Sequence, residues 1–208
     1  MLTALYLKLN FRLLFAIVLI VHFTAQSQDQ TECWKNGKIK SEWVDADDST
    51  SNQIFYYKSG RKELKASYKG NDLHGEITGW HKKGQLKFTG TYRNNEKHGS
   101  WQFWYKNGRP RKQEYYIMGV ADDYWIKWYK NGQMEERSYF VAGLLEGPYI
   151  SWYKNGRKQS EGECKNGNKH GVWMEWYANG KRKSEIEYTE GYIDNEPTFW
   201  WSNGKKIK

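Results

Sequence analysis

The sequence predicts an all-β protein: an elongated single-layer antiparallel meander of β-hairpin repeats with a 24-residue period. Three observations carry that expectation. First, Gly60, Gly84, Gly108, Gly132, Gly156, Gly180 and Gly204 recur at intervals of 24 without a slip. Glycine makes up 20 of 208 residues, so such a register arises by accident with a chance on the order of 10⁻⁷ before a phase is chosen. Second, aromatic columns keep step with the glycines. Four residues earlier stand Tyr56, Trp80, Trp104, Trp128, Trp152, Trp176 and Trp200, and three earlier Tyr57, His81, Tyr105, Tyr129, Tyr153, Tyr177 and Trp201. Third, Asn precedes the glycine in five units, at 107–108, 131–132, 155–156, 179–180 and 203–204. Asn-Gly is the strongest short hairpin signal, because a type I′ turn needs φ > 0 at both central residues.

The elements follow in order. A stretch of about seven residues rich in Trp, Tyr and Phe leads into each Asn-Gly turn, and a second leads out. A further glycine column, Gly75, Gly99, Gly147 and Gly171, with Asp123 and Asn195 in its place in two units, marks a longer turn such as CKNGNKHGVW. Two strands and two turns fill 24 residues and leave no room for a helix, so about fourteen strands follow residue 53. A two-residue Asn-Gly loop would place Trp101, Phe103, Tyr105, Pro110, Lys112, Glu114 and Tyr116 on one face. The other face would hold Trp104 beside Lys106, Arg109 and Arg111.

The ends differ from the repeats. Residues 1–27 read as a signal peptide: Lys8 and Arg12 precede an eleven-residue, mostly apolar run at 13–23, and Ala25 and Ser27 suit a cleavage site. Eleven residues fall short of the ~20 that a spanning helix needs. Export to the periplasm, the outer-membrane surface or the extracellular space is the expected localisation. Residues 28–53 form a partial repeat and N-terminal cap, with CWKNGKIKSEW at 33–43 and an acidic loop, DADDSTSN, at 45–52. Residues 54–208 form the repeat domain. Pro197 in the last unit suits an edge strand.

Composition bounds the function. Aromatics reach 17% with twelve tryptophans, while hydrophobics total only 38%. Burial is therefore mostly Trp and Tyr, which pack on a sheet and still reach water. The net charge of +9 falls to +7 without residues 1–27, which carry two cations and no anion. Nucleic acid fits that charge, but export argues against it. No H-E-x-x-H, G-x-S-x-G, phosphate-loop or C-x-x-C pattern is present, and neither an enzyme, a cofactor nor a metal is expected. His74, His98 and His170 lie in separate repeats ~9.6 Å or more apart, too far for shared zinc ligation, and read as turn-stabilising residues. The acidic loop lacks the glycine and terminal glutamate of a calcium loop. Cys33 and Cys164, about 5.5 repeats and ~50 Å apart in such a meander, are expected to be free thiols.

The pattern W-x-x-W-Y-x-N-G at 101–108 and 173–180, with KNGNKHG at 165–171, resembles the MORN repeat variant. It looks most like the version in the bacterial YwqK-type antitoxin family. The resemblance covers about 54–208 and implies an elongated single-layer sheet that serves as a scaffold for protein or lipid contacts.

The candidate binding strip combines two columns. Trp80, Trp104, Trp128, Trp152 and Trp176 run beside Lys106, Arg109, Lys130, Lys154 and Arg157 along one long edge at ~10 Å intervals. The expected function is a non-enzymatic exported scaffold binding a protein partner or an anionic membrane or envelope surface. The alternatives are glycan or cell-wall binding by the tryptophan ladder, and antitoxin-like inhibition of a protein partner.

Overall fold

A computed structural model describes residues 31–45 and 49–208. The expected signal peptide and residues 46–48 of the acidic loop lie outside the described residues. The rest forms 17 strands in one open antiparallel sheet without a helix, as the repeat pattern predicts. Strands pair with their neighbours in chain order, and no pairing among the described residues joins the first to the last.

The two sheet edges carry different turns, and the assignment is the reverse of the one read from Asn-Gly. At 105–109 the Gly108 N–H donates to the Tyr105 carbonyl and the Tyr105 N–H to the Arg109 carbonyl, each at 2.9 Å. Gly108 alone has positive φ there, +81°. This is a three-residue loop, a type I turn closed by a left-handed glycine. The two-residue type I′ turns lie on the opposite edge, at Asn94–Asn95 (φ 50° and 67°), Met118–Gly119 (47° and 79°) and Asn166–Gly167 (51° and 83°).

The turns at 57–61 and 81–85 close the same loop with Ser59 and Lys83 in place of Asn, and where Asn is present its side chain reinforces it. At negative φ, Asn107 Oδ1 accepts the Arg109 N–H at 3.2 Å, while Nδ2 donates to the Lys130 carbonyl of the following repeat at 3.3 Å. That dual use ties one turn to the next, which an Asn at the first central position of a lone type I′ turn would not do. The turn at 34–38 makes the same backbone bonds, so the N-terminal cap carries a true first turn, 23 residues before Gly60.

The longer loop shifts the register. Phe103 still faces Lys112, Trp101 faces Glu114 and Gly99 faces Tyr116, but Trp104 pairs with Pro110. Pro110 thus leaves the aromatic face on which a two-residue loop would have put it. Arg111 departs from its expected place beside Trp104, bringing its guanidinium 5.7 Å from the Phe103 ring centre.

The second glycine column is a bulge rather than a turn. Between Thr89↔Gln102 and Thr91↔His98 the ladder advances two residues on one strand and four on the other. Gly99 (φ 69°) and, one repeat on, Asp123 (φ 54°) take the left-handed backbone this requires. Tryptophan repairs the broken ladder: Trp101 Nε1 donates to the Thr91 carbonyl at 3.1 Å, and Trp125 and Trp173 do likewise to Tyr115 and Glu163 at 3.1 and 2.8 Å.

The core is thin, as one layer dictates. Ala66, Ile77 and Trp101 are buried, with Leu64, Tyr68, Phe88, Tyr92, Phe103 and Tyr116 packed around them. This aromatic face also buries Glu114, which pairs with Lys112 and accepts from the Tyr116 hydroxyl at 3.1 Å. Lys97 lies 4.5 Å from the Trp101 ring centre and 4.7 Å from that of Tyr116. Burial draws its ammonium below the usual lysine range, and Glu114 opposes that shift.

Candidate functional site

The turn edge built from the seven 24-spaced glycines presents the candidate site. The three-residue loops place each column tryptophan opposite the residue two after its glycine: Trp80 with Leu86, Trp104 with Pro110, Trp128 with Met134, Trp152 with Lys158 and Trp176 with Arg182. Successive tryptophans stand two strands apart, ~9.6 Å, with these partners between them. The central stretch from Trp80 to Trp152 is therefore a ridge in which Trp80, Trp104 and Trp128 are each paired with an apolar residue, Leu86, Pro110 and Met134. Its rings are half-buried, Leu86 is 40% exposed, and the indole N–H groups of Trp80, Trp104, Trp128 and Trp152 find no acceptor among the described residues.

The cations divide into two groups. Lys82, Lys106 and Lys130, each two before its glycine, are exposed, with no ion pair or hydrogen bond from their ammonium groups among the described residues. Lys154 comes within 5.9 Å of the Tyr129 ring centre. The residues one after the glycine are engaged in holding turns together. Arg109 donates to the Asn131 carbonyl, Arg157 to that of Ala178 at 3.3 Å, and Lys181 to that of Asn203 at 2.6 Å. Arg109 and Arg157 thus share the edge with the lysines but act first as ties between repeats, while their charge still faces water.

Tyrosine supplies a second tie. The hydroxyls of Tyr57, Tyr105, Tyr129, Tyr153 and Tyr177 donate to the carbonyls of Trp80, Trp128, Trp152, Trp176 and Trp200 at 2.7–2.8 Å. His81 takes the same place, with Nε2 3.2 Å from the Trp104 carbonyl. These bonds fix the backbone of every column tryptophan, so the ridge is rigidly spaced. A shallow groove bounded by Arg157, Lys158, Trp176 and Gly180 continues it toward the C-terminus, where Lys158 caps the Trp176 ring at 5.3 Å.

All ten residues of the expected strip lie along this one edge. Leu86, Pro110 and Met134 complete the ridge and were not legible as part of it. The dipeptide Asn-Gly serves both turn types, and only the three-residue loop brings the second residue after glycine opposite tryptophan.

The other candidates stay apart. His74 Nδ1 lies 3.1 Å from Asn94 Oδ1, beside the neighbouring turn, while Nδ1 of His98 and of His170 are buried with no hydrogen-bond partner among the described residues. No group of three metal-ligating side chains occurs among the described residues. Cys33 is exposed, Cys164 is buried, and both are free. Burial pushes the Cys164 thiol above its usual range, which disfavours the thiolate.

No curated protein matches the chain. A solved structure of the GtfA/B complex bound to UDP and GlcNAc is similar over 68% of this chain, at 14% identity and a TM-score of 0.23. The match spans only 28% of that chain and bears on neither fold nor function. Residues 73–94, 97–118 and 169–190 match the MORN repeat variant, each stretch taking in one bulge, one three-residue turn and the strand that returns from it.

Proposed function

We propose that the protein is a non-catalytic repeat scaffold that docks on an anionic membrane or envelope surface along its turn edge. One observation carries this reading: the Trp80-to-Trp152 ridge, in which Trp80, Trp104 and Trp128 pair with Leu86, Pro110 and Met134, is bordered by Lys82, Lys106 and Lys130, whose ammonium groups have no partner among the described residues. Tryptophan prefers the boundary between headgroup and hydrocarbon, and each lysine near an anionic surface contributes about 1 kcal/mol. The fixed ~9.6 Å spacing lets several such contacts form at once without an ordering cost at each. Export by the 1–27 segment would deliver the scaffold to an envelope surface.

Co-sedimentation with vesicles tests the reading. Binding is expected with anionic and not with zwitterionic vesicles, and it should fall in high salt because exposed charges are screened. Reversing Lys82, Lys106 and Lys130 to Glu should weaken binding by roughly 100-fold or more, given about 1 kcal/mol per lysine. Binding unchanged by that triple substitution removes the assignment. Salt-resistant capture by a glycan array would favour the tryptophan ladder as a sugar platform instead.

A further inference from the structure

We propose that copies of this chain dock head to tail, the first turn of one copy stacking on the last turn of another so that the sheet continues across the junction. On the edge of the three-residue turns the side-chain contacts between repeats are vectorial: the earlier turn donates and the later turn accepts, whereas on the opposite edge later backbone amides donate back, as Gly119 N–H does to the Lys97 carbonyl. In the first turn Trp34 Nε1, Asn36 Nδ2 and Lys38 Nζ donate to the carbonyls of Tyr56, Lys58 and Ser59, at 3.2, 3.3 and 3.0 Å. The last turn carries the same three side-chain types, Trp201, Asn203 and Lys205, at the same three positions around Gly204. Their donor atoms meet no acceptor among the described residues. At the other end, the matching carbonyls, of Cys33, Lys35 and Asn36, receive no side-chain donor among the described residues.

The strands agree in direction. Inside the sheet, the strand leaving one turn pairs antiparallel with the strand entering the next, as Pro110–Ile117 does with Val120–Trp128. Residues 205–208 leave the last turn along the outermost edge, bonded inward through Ile207 N–H to the Phe199 carbonyl at 2.8 Å. Glu32–Cys33 enters the first turn along the opposite edge and pairs inward only with Ile39–Asp45. A second copy set end to end therefore brings together one leaving and one entering strand, the pairing that every internal junction uses.

Burial and charge point the same way. Ile193, Phe199 and Trp201 are 55%, 42% and 58% exposed, whereas Lys169, Glu175 and Tyr177, one repeat earlier, are half-buried beneath the unit that follows them. The leaving strand carries Lys205, Lys206 and Lys208, and the entering strand carries Glu32, which also pairs with Lys40 at 2.7 Å. Because one end donates and the other accepts, a two-fold dimer cannot satisfy both, and the contact builds an open series. Such a series would carry the three-residue-turn edge on from one copy to the next.

Sedimentation velocity of the purified protein without lipid tests this independently of surface docking. The wild type should show a mass that rises with concentration through dimer, trimer and beyond. Trp201→Ala/Asn203→Ala blocks the tail and should leave a monomer; Glu32→Lys sets like charges against the tail lysines and should weaken association at least tenfold. Mixing the two variants should give a 1:1 pair and nothing larger, since each retains the end that the other lacks. A wild type that stays monomeric at every concentration, or an assembly that both variants retain, would overturn the proposal.

Discussion

The indole of Trp101 lies flat on the backbone of Gly90, so close that a β-carbon at residue 90 would overlap Cδ2 and Cε2 of the ring. Trp173 sits on Gly162 in the same way. Each glycine leaves room for the tryptophan that also donates to the carbonyl beside the neighbouring bulge. Gly90→Ala should therefore destabilise the sheet toward the upper end of the 1–3 kcal/mol typical of overpacking. Urea unfolding read by tryptophan fluorescence measures it, and a loss below about 0.5 kcal/mol would mean that the ring can move aside.

Gly108 presents the opposite case. Nothing lies within 4 Å of where its β-carbon would be, yet its φ is +81°. Gly108→Ala should cost about 1–2 kcal/mol through backbone strain alone. Asn tolerates the left-handed region, so Gly108→Asn should be the milder substitution. Equal losses from both would show that φ is not the cause.

The tyrosine ties can be cut singly. Tyr129→Phe removes only the hydroxyl that donates to the Trp152 carbonyl at 2.8 Å. About 1 kcal/mol should be lost. In a repeat array whose stability sums over neighbour contacts, the loss should fall at one junction. Hydrogen exchange should accelerate at the turn amides of 129–133 and 153–157 more than in the turn at 34–38. Uniform acceleration along the chain would contradict a local tie.

Alkaline titration reads two half-buried phenols. Burial, then Glu42, pushes the Tyr56 hydroxyl up to about 12 from its ordinary 10.0. Burial, then Glu136, pushes Tyr149 to about 12 likewise. Both pKa values are higher folded than unfolded, so the neutral form is favoured in the sheet. That contribution is complete below pH 10 and is lost as pH rises toward 12. Stability should therefore fall across that window, and Tyr149→Phe should flatten the slope, measured by urea midpoints between pH 9.5 and 12. An unchanged slope in the variant would mean that Tyr149 titrates as freely folded as unfolded.

The sequence by itself determined the repeat, the strand class and the edge. Seven glycines at one spacing and the tryptophans four places before them dictate a meander, because a strand rises by a fixed amount per residue and a 24-residue unit admits only two strands with two turns. The same periodicity places Trp80 to Trp176 and Lys106 to Lys154 on one side of the sheet, whatever the turns do. What only the tertiary structure decided is which side chains stand across from one another. Asn107 could close either a two- or a three-residue loop within its own hairpin; the structure has the longer one, as in the turns at 57–61 and 81–85 that lack Asn, and Asn107 adds a bond to the Lys130 carbonyl, 23 residues on. That single added residue carries Pro110, Leu86 and Met134 over to the tryptophans and turns spaced rings into a ridge. The bulges at Gly99 and Asp123 were read as turns for a related reason: a positive-φ residue marks a break in the backbone, but whether the chain reverses there depends on the strand beside it. Both choices depend on how the strands pair across the sheet, which the spacing of residues along one repeat does not specify.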